Sequence, residues 1–104
     1  MQNLREKLKV ICVDLDGTLC QGEVWTEEDC LRAKPIEKNI KETNRLFQRH
    51  FIVIYTSRRD NLIPATLEWL RRNNVRYMAI SNNKCSADIY IDNKNLRPEE
   101  MRKL

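Results

Sequence analysis

Residues 10–19 read VICVDLDGTL, an apolar run that leads into two aspartates, a glycine and a threonine. We predict that the run forms a buried strand, because it is short, apolar and followed by turn residues. Asp14 and Asp16 then lie at the carboxyl end of that strand, where parallel sheets usually bind ligands. Two carboxylates so close repel each other unless a cation lies between them or one takes a proton. The stretch therefore indicates chemistry at a site for a metal ion and a phosphate.

Strand-like and helix-like patterns alternate along the rest of the chain. Strands are predicted at residues 9–13, 51–55, 75–80 and 89–91. A first helix is predicted at residues 35–49. A second begins after a side-chain cap at Asp60 or Asn61 and ends at Asn73-Asn74, and one or two helical turns are predicted at residues 98–103. Residues 20–34 are polar and acidic and form a predicted loop or flap. Such alternation implies right-handed βαβ crossovers and a parallel sheet. We predict one α/β domain over residues 1–104, with about four mainly parallel strands flanked by helices and no cap domain.

Length and composition exclude several classes of protein. The chain has 104 residues, of which 41% are hydrophobic, which suits one modest core. No apolar run is long enough to span a bilayer, and the first nine residues lack the apolar stretch of a signal peptide. Neither a C-x-x-C pair nor a zinc-ligand spacing occurs among the cysteines, which are Cys12, Cys20, Cys30 and Cys85. We therefore expect reduced thiols and a cytoplasmic protein.

The net charge of +4 is compatible with a phosphate-bearing partner. It does not require nucleic acid, and no pattern of a nucleic-acid-binding module accompanies it. Two arginine pairs, Arg58-Arg59 and Arg71-Arg72, are interpreted as solvated faces. The first pair is the better candidate for a functional role because it adjoins a motif described below.

Four segments together resemble the motifs of one family. They are Asp14-Leu15-Asp16-Gly17-Thr18, Thr56 after the second strand, Lys84, and Asp88-Ile89-Tyr90-Ile91-Asp92-Asn93. In their order and in the elements between them they are similar to the haloacid dehalogenase (HAD) superfamily, most closely to its small capless phosphatases. The resemblance runs from residue 9 to about residue 96. It implies a HAD-like Rossmann-type domain.

The resemblance also implies the roles of the acidic residues. Asp14 resembles the family's nucleophile and would form an aspartyl-phosphate, while Asp16 would act as general acid and then as general base. The second carboxylate is typical of the family's phosphatases and absent from its dehalogenases, so it favours phosphoryl transfer. Mg²⁺ would be bound by the Asp14 carboxylate, the Asp16 backbone carbonyl and Asp92. Asn93 stands where the family usually has another acid. The amide can still bind a metal-bound water, but it removes one negative charge, so the sequence leaves open whether metal binding is weakened.

Further residues are predicted to bind the substrate. By resemblance, Thr56 would hydrogen-bond a phosphoryl oxygen, and Lys84 would offset negative charge on the nucleophile and phosphate. Ser57 and Arg58 follow Thr56, and Arg58 is placed to meet a second anionic group of the substrate. Lys84 and Asp92 are separated by eight residues, roughly 26 Å of extended chain. Both reach one site only if residues 84–88 turn back sharply; otherwise Lys84 is not the equivalent of the family's lysine.

Three functions compete at this point. The first is a Mg²⁺-dependent phosphatase with an open site, whose substrate is large or is enclosed by a second copy in a homo-oligomer; the resemblance suggests a phosphorylated sugar or glycan. The second is a non-catalytic HAD-like domain that binds phosphate or a partner. The third, a nucleic-acid 3′-phosphatase or binding module, depends on the positive charge alone and is the weakest.

Overall fold

The computed structural model describes residues 8–83, 86–92 and 96–104. Four strands form its sheet: β1 at Val10–Asp14, β2 at Phe51–Tyr55, β3 at Ala79–Ser81 and β4 at Ile89–Ile91. All pairings are parallel, and the order is β3-β2-β1-β4. This confirms the predicted α/β fold, a small Rossmann-like domain with helices flanking a parallel sheet.

β1 is an inner strand of this sheet because its residues are apolar on both faces. Its three central residues are buried, as expected for a strand covered on both sides. Val13 lies opposite Ile54 of β2 and Ile91 of β4. The carboxyl ends of these three strands therefore lie at the same level of the sheet.

In the described residues three α-helices cover the sheet and its loops: α1 at Glu27–Arg32, α2 at Glu37–Phe47 and α3 at Ile63–Arg72. α2 packs against β2 and α3 packs against α1. On α3 the side chains of Trp69 and Leu70 are fully enclosed in the core. Asn74, with a φ of 54°, adopts the left-handed conformation after α3, as the sequence predicts. Within the described part of the chain, no helix is long and apolar enough to cross a membrane.

The start of α2 differs from the prediction. Residues 34–36 run beside residues 19–21 instead of forming the first helical turn. The Gln21 N–H donates to the Lys34 carbonyl (2.9 Å), and the Ile36 N–H donates to the Leu19 carbonyl (2.8 Å). These two bonds join the two ends of the predicted flap. The flap itself contains the short helix α1.

The predictions for the start of α3 and for the third strand are also wrong in part. A 3-10 turn at Asp60–Leu62 precedes α3, so Leu62 takes the cap position and no side-chain cap forms. The third strand begins only at Ala79. Before it, the Val75 N–H donates to the Leu70 carbonyl (3.0 Å) and the Arg76 N–H to the side-chain oxygen of Asn44 (2.8 Å), and hydrogen bonding to β2 starts with the Met78 N–H, which donates to the Ile52 carbonyl (2.8 Å). The predicted helical turns at the carboxyl end are present as a 3-10 helix at Pro98–Lys103.

Candidate active site

Three predicted site residues meet at the carboxyl edge of the sheet. Asp14 ends β1, Thr56 directly follows β2, and Asp92 directly follows β4. Since β1 is paired in parallel with both β2 and β4, the ends of the three strands are neighbours. This edge is the candidate active site.

The Asp14 carboxyl group, at the end of β1, has a raised pKa. Burial raises its pKa from 3.8 to about 6, and the negative charges of Asp16 and Asp92 add to this increase. A hydrogen bond from the Leu15 N–H to Asp14 Oδ1 (3.0 Å) acts in the opposite direction. Negative charge from three carboxyl groups thus converges at the end of β1, which favours a cation there.

Asp16 has a different environment, because it is paired with a buried arginine. Arg58 Nη2 donates to Asp16 Oδ1 (2.7 Å) and Arg58 Nε donates to Asp16 Oδ2 (3.1 Å). The Arg58 side chain is only 2% exposed, whereas that of Asp16 is 32% exposed. Burial would lower the pKa of the guanidinium, but the hydrogen bonds and charge of Asp16 outweigh it and raise that pKa. The pair is a bidentate ion pair with one face open to solvent.

Arg58 has a second anchor that does not involve Asp16. Its Nη1 donates to Thr66 Oγ1 on α3 (2.9 Å), and the Thr66 hydroxyl donates to the Leu62 carbonyl (2.8 Å). The interpretation of Arg58-Arg59 as a solvated face is therefore wrong for Arg58, although Arg59 is exposed. The sequence offers no signal for Thr66 in this role, since its spacing places it on the apolar face of a helix.

Cys20 completes the surroundings of the ion pair. Its sulfur lies 3.4 Å from Asp16 Oδ1 and 3.5 Å from Arg58 Nη2. Burial, and then the neighbouring Asp16 charge, raise the pKa of the thiol to about 12. Cys20 is therefore a neutral, weakly donating neighbour of Asp16 rather than a nucleophile.

Thr56 and Ser57 lie beside the ion pair in the loop after β2. Thr56 is buried, its N–H donates to the Ser81 carbonyl (3.0 Å), and its Oγ1 accepts a hydrogen bond from the Arg58 N–H (3.1 Å). That bond leaves the proton of the Thr56 hydroxyl for another acceptor. Ser57 is exposed and lines the cavity described next.

A cavity of about 490 Å³ lies between the flap and the loop after β2. Its lining residues on the flap side are Gly22, Glu23, Val24 and Trp25, and on the other side Asp16, Ser57, Arg58, Arg59, Asn61 and Leu62. The volume is typical of a small-molecule site, and both apolar and hydrogen-bonding groups face it. Trp25 is 76% exposed, an unusual position for so large an apolar side chain.

The local sequence explains why Trp25 is held at the cavity. Thr26 caps α1 by accepting from the Asp29 N–H (3.1 Å), while Asp29 Oδ2 accepts from the N–H groups of Trp25 (3.0 Å) and Thr26. This reciprocal capping box fixes the backbone at Trp25. At the other end of α1, the Trp69 indole N–H donates to the Ala33 carbonyl (2.8 Å) and ties the flap to α3.

The predicted metal ligands can be tested against the donor groups at this edge. Across residues 8–83, 86–92 and 96–104, no three His, Cys, Asp or Glu side chains converge where they could hold a metal ion. A metal ion at this edge would be bound by the carboxylates of Asp14 and Asp92 and by the Asp16 carbonyl, since the Asp16 carboxylate is paired with Arg58. Mg²⁺ is commonly bound through one or two carboxylates and keeps several waters, so this donor set fits it.

Two residues of the prediction, Lys84 and Asn93, lie outside the described residues. Asp88, which belongs to the same motif as Asp92, lies at the opposite end of β4. Its Oδ2 accepts a hydrogen bond from the Val10 N–H (2.7 Å), at the start of β1. Asp88 therefore caps the strand entry and is remote from Asp14.

Comparison with solved structures supports the fold. A crystal structure of a protein from Vibrio cholerae is similar to this chain at 29% sequence identity, covering 93% of this chain and 89% of its own, with a TM-score of 0.71. A conserved protein from Bacteroides thetaiotaomicron has 22% identity and a TM-score of 0.71, with 93% of this chain and 91% of that chain covered. No protein-family model matches the sequence, and no curated protein matches it. The likeness extends over nearly the whole chain and concerns its architecture.

Proposed function

We propose that this protein is a Mg²⁺-dependent phosphatase of the HAD type, which hydrolyses a phosphate monoester through an aspartyl-phosphate. The observation that carries the proposal is Asp14, a partly buried carboxylate at the end of an inner parallel strand. Its pKa of about 6 reflects burial and two neighbouring carboxyl groups, Asp16 and Asp92. Perturbed carboxylates at such an edge are typical of catalytic sites. At neutral pH Asp14 is still mainly ionised, as a nucleophile must be.

The proposed reaction uses the chain's own residues in two steps. An Asp14 carboxylate oxygen attacks phosphorus and the bond to the leaving oxygen breaks. That oxygen takes the bonding electrons and a proton from Asp16, which enters this step as the protonated acid and leaves it as the carboxylate paired with Arg58. Water then attacks the phosphorus of the aspartyl-phosphate while Asp16 takes its proton, which releases inorganic phosphate and regenerates Asp14. The Thr56 hydroxyl donates a hydrogen bond to a phosphoryl oxygen.

The metal ion has a supporting role in this proposal. Asp14, Asp92 and the Asp16 carbonyl would hold Mg²⁺, which when bound offsets the negative charge of the phosphoryl group. Lys84 would add a further positive charge.

The buried thiols Cys20 and Cys30 agree with a cytoplasmic protein in a reducing environment.

The cavity supports a small organic leaving group. Asp16, the proposed acid, forms part of its wall, so a phosphate at Asp14 would place the leaving oxygen towards this space. Trp25 offers an aromatic surface, and Glu23, Arg59 and Asn61 offer acceptors and donors. Because Arg58 is occupied by Asp16, a second anionic group of the substrate would meet Arg59 instead. Such a lining suits the hydroxyl groups and apolar ring faces of a phosphorylated sugar or glycan.

An assay with p-nitrophenyl phosphate tests the proposal. We expect hydrolysis that requires Mg²⁺, and at least a 10³-fold loss of kcat in Asp14→Asn, roughly as for the removal of other catalytic nucleophiles. Acid-quenched wild-type protein should retain covalently bound phosphate from a labelled substrate, and Asp14→Asn should not. Activity that persists in Asp14→Asn would exclude Asp14 as the nucleophile.

A non-catalytic phosphate-binding or interaction domain is the second candidate. The observation in its favour is the ion pair of Asp16 with Arg58, because both partners are engaged within the protein. If this candidate is correct, titration calorimetry will detect binding of inorganic phosphate in the presence of Mg²⁺. No phosphate monoester in a metabolite screen will then be hydrolysed.

A further inference from the structure

We propose that Arg58 is the positioning residue for Asp16, and that it fixes the carboxyl group at the cavity wall for proton transfer. This inference rests on the proposed phosphatase function. It reassigns Arg58, which the sequence places among the substrate-binding residues. The observations that carry it are the two-point contact with Asp16 and the separate anchor on Thr66.

The geometry of Arg58 restricts Asp16 more than a single contact would. Two parallel hydrogen bonds to both carboxylate oxygens fix the plane of the carboxyl group as well as its position. Arg58 offers the substrate little surface, because its side chain is 2% exposed and its guanidinium is bonded to Asp16 and Thr66. The Asp16 side chain is 32% exposed and lines the cavity, so the solvent-exposed side of the ion pair is that of Asp16.

The anchor on Thr66 matters because it holds the guanidinium independently of Asp16. Arg58 Nη1 donates to Thr66 Oγ1 on α3 (2.9 Å), and the backbone N–H of Arg58 donates to Thr56 Oγ1 (3.1 Å). Arg58 is therefore fixed at its backbone and at the end of its side chain, and the Asp16 carboxyl group is positioned against a held partner.

The test compares substrates that differ in their need for an acid. Protonation matters for an alkyl phosphate such as β-glycerophosphate, but little for p-nitrophenyl phosphate, whose leaving group departs as a stable anion. We expect Arg58→Met to lower kcat/KM about 10²-fold for the alkyl phosphate and about 10-fold or less for the aryl phosphate. Asp16→Asn should show the same dependence on the leaving group, and KM should change by less than about threefold in both.

A double variant separates positioning from a general structural effect. If Arg58 acts through Asp16, Arg58→Met combined with Asp16→Asn will be no slower than Asp16→Asn alone. Arg58→Lys keeps the charge but lacks the two-point contact, so it should be intermediate. Arg71→Met is the matched control, because Arg71 is an exposed arginine that pairs with Glu68 on α3. It should leave both substrates unaffected.

Thr66 provides the readout if Arg58→Met fails to fold. Thr66→Val keeps the shape of the side chain but removes the anchor, and we expect about a 3- to 10-fold loss for the alkyl phosphate. Thr66→Ser, which keeps the hydroxyl, should retain most of the wild-type activity towards the alkyl phosphate. Equal losses for both substrates, or additive losses in the double variant, would overturn the role of Arg58 while leaving the phosphatase proposal intact. A wild-type protein without phosphatase activity would overturn both.

Discussion

Replacement of Asp14 by asparagine should stabilise the metal-free protein at neutral pH while it abolishes activity. The folded protein raises the pKa of Asp14 from 3.8 to about 6, mainly through burial. It therefore binds this proton more tightly than the unfolded chain does. The resulting stabilisation is complete below about pH 3.8 and is lost as the pH rises to about 6. Above that pH the charge of Asp14 opposes folding, and asparagine carries no such charge.

The size of the effect follows from the same shift. Two pKa units correspond to at most about 3 kcal/mol. Because water reaches part of the Asp14 side chain, we expect a gain of about 1–2 kcal/mol at pH 7.5. For a chain of this length the gain corresponds to an increase in Tm of about 5–10 °C. Near pH 4 the variant and the wild type should be equally stable.

Urea denaturation in EDTA, from pH 4 to pH 8, measures this difference. Glu99→Gln is the control for net charge, because Glu99 is an exposed acid on the 3-10 helix Pro98–Lys103. It should change the free energy of unfolding by less than about 0.5 kcal/mol at either pH. The reasoning fails if Asp14→Asn is no more stable than wild type at pH 7.5, or if its gain is the same at pH 4.

Two further predictions concern the metal site and the flap. Asp92→Asn should raise the Mg²⁺ concentration for half-maximal activity about 10-fold or more. It should also lower the pKa of Asp14, since the Asp92 charge contributes to raising it; a carboxyl NMR titration that finds no decrease would contradict this. Trp69→Phe removes the hydrogen bond to Ala33 and part of a buried ring, so unfolding should cost about 1–3 kcal/mol less in thermal or urea melts. Leu67→Ala, at an exposed position of α3, should have a smaller effect.

Much of the fold could be predicted from local patterns. The run at residues 10–14 forms an inner strand because residues covered on both faces must be apolar, and the spacing of Trp69 and Leu70 places both on the buried side of α3. The third strand was predicted to start too early because the sequence does not show that the Leu70 carbonyl takes the Val75 N–H and the Asn44 side chain takes the Arg76 N–H. A side-chain hydrogen bond between segments 32 residues apart leaves no periodic signal in either.

The sequence by itself determined the positions of the acids. Asp14 and Asp16 follow an apolar strand, and Asp92 follows another, so a parallel sheet brings Asp14 and Asp92 to one edge whatever the details of the loops. Only the tertiary structure decided what each acid meets there. Arg58 lies 42 residues from Asp16 in the chain, and an arginine beside a second arginine has the pattern of a solvated face. Whether such a side chain is buried depends on the elements packed around it, here α3 with Thr66 and the loop with Cys20.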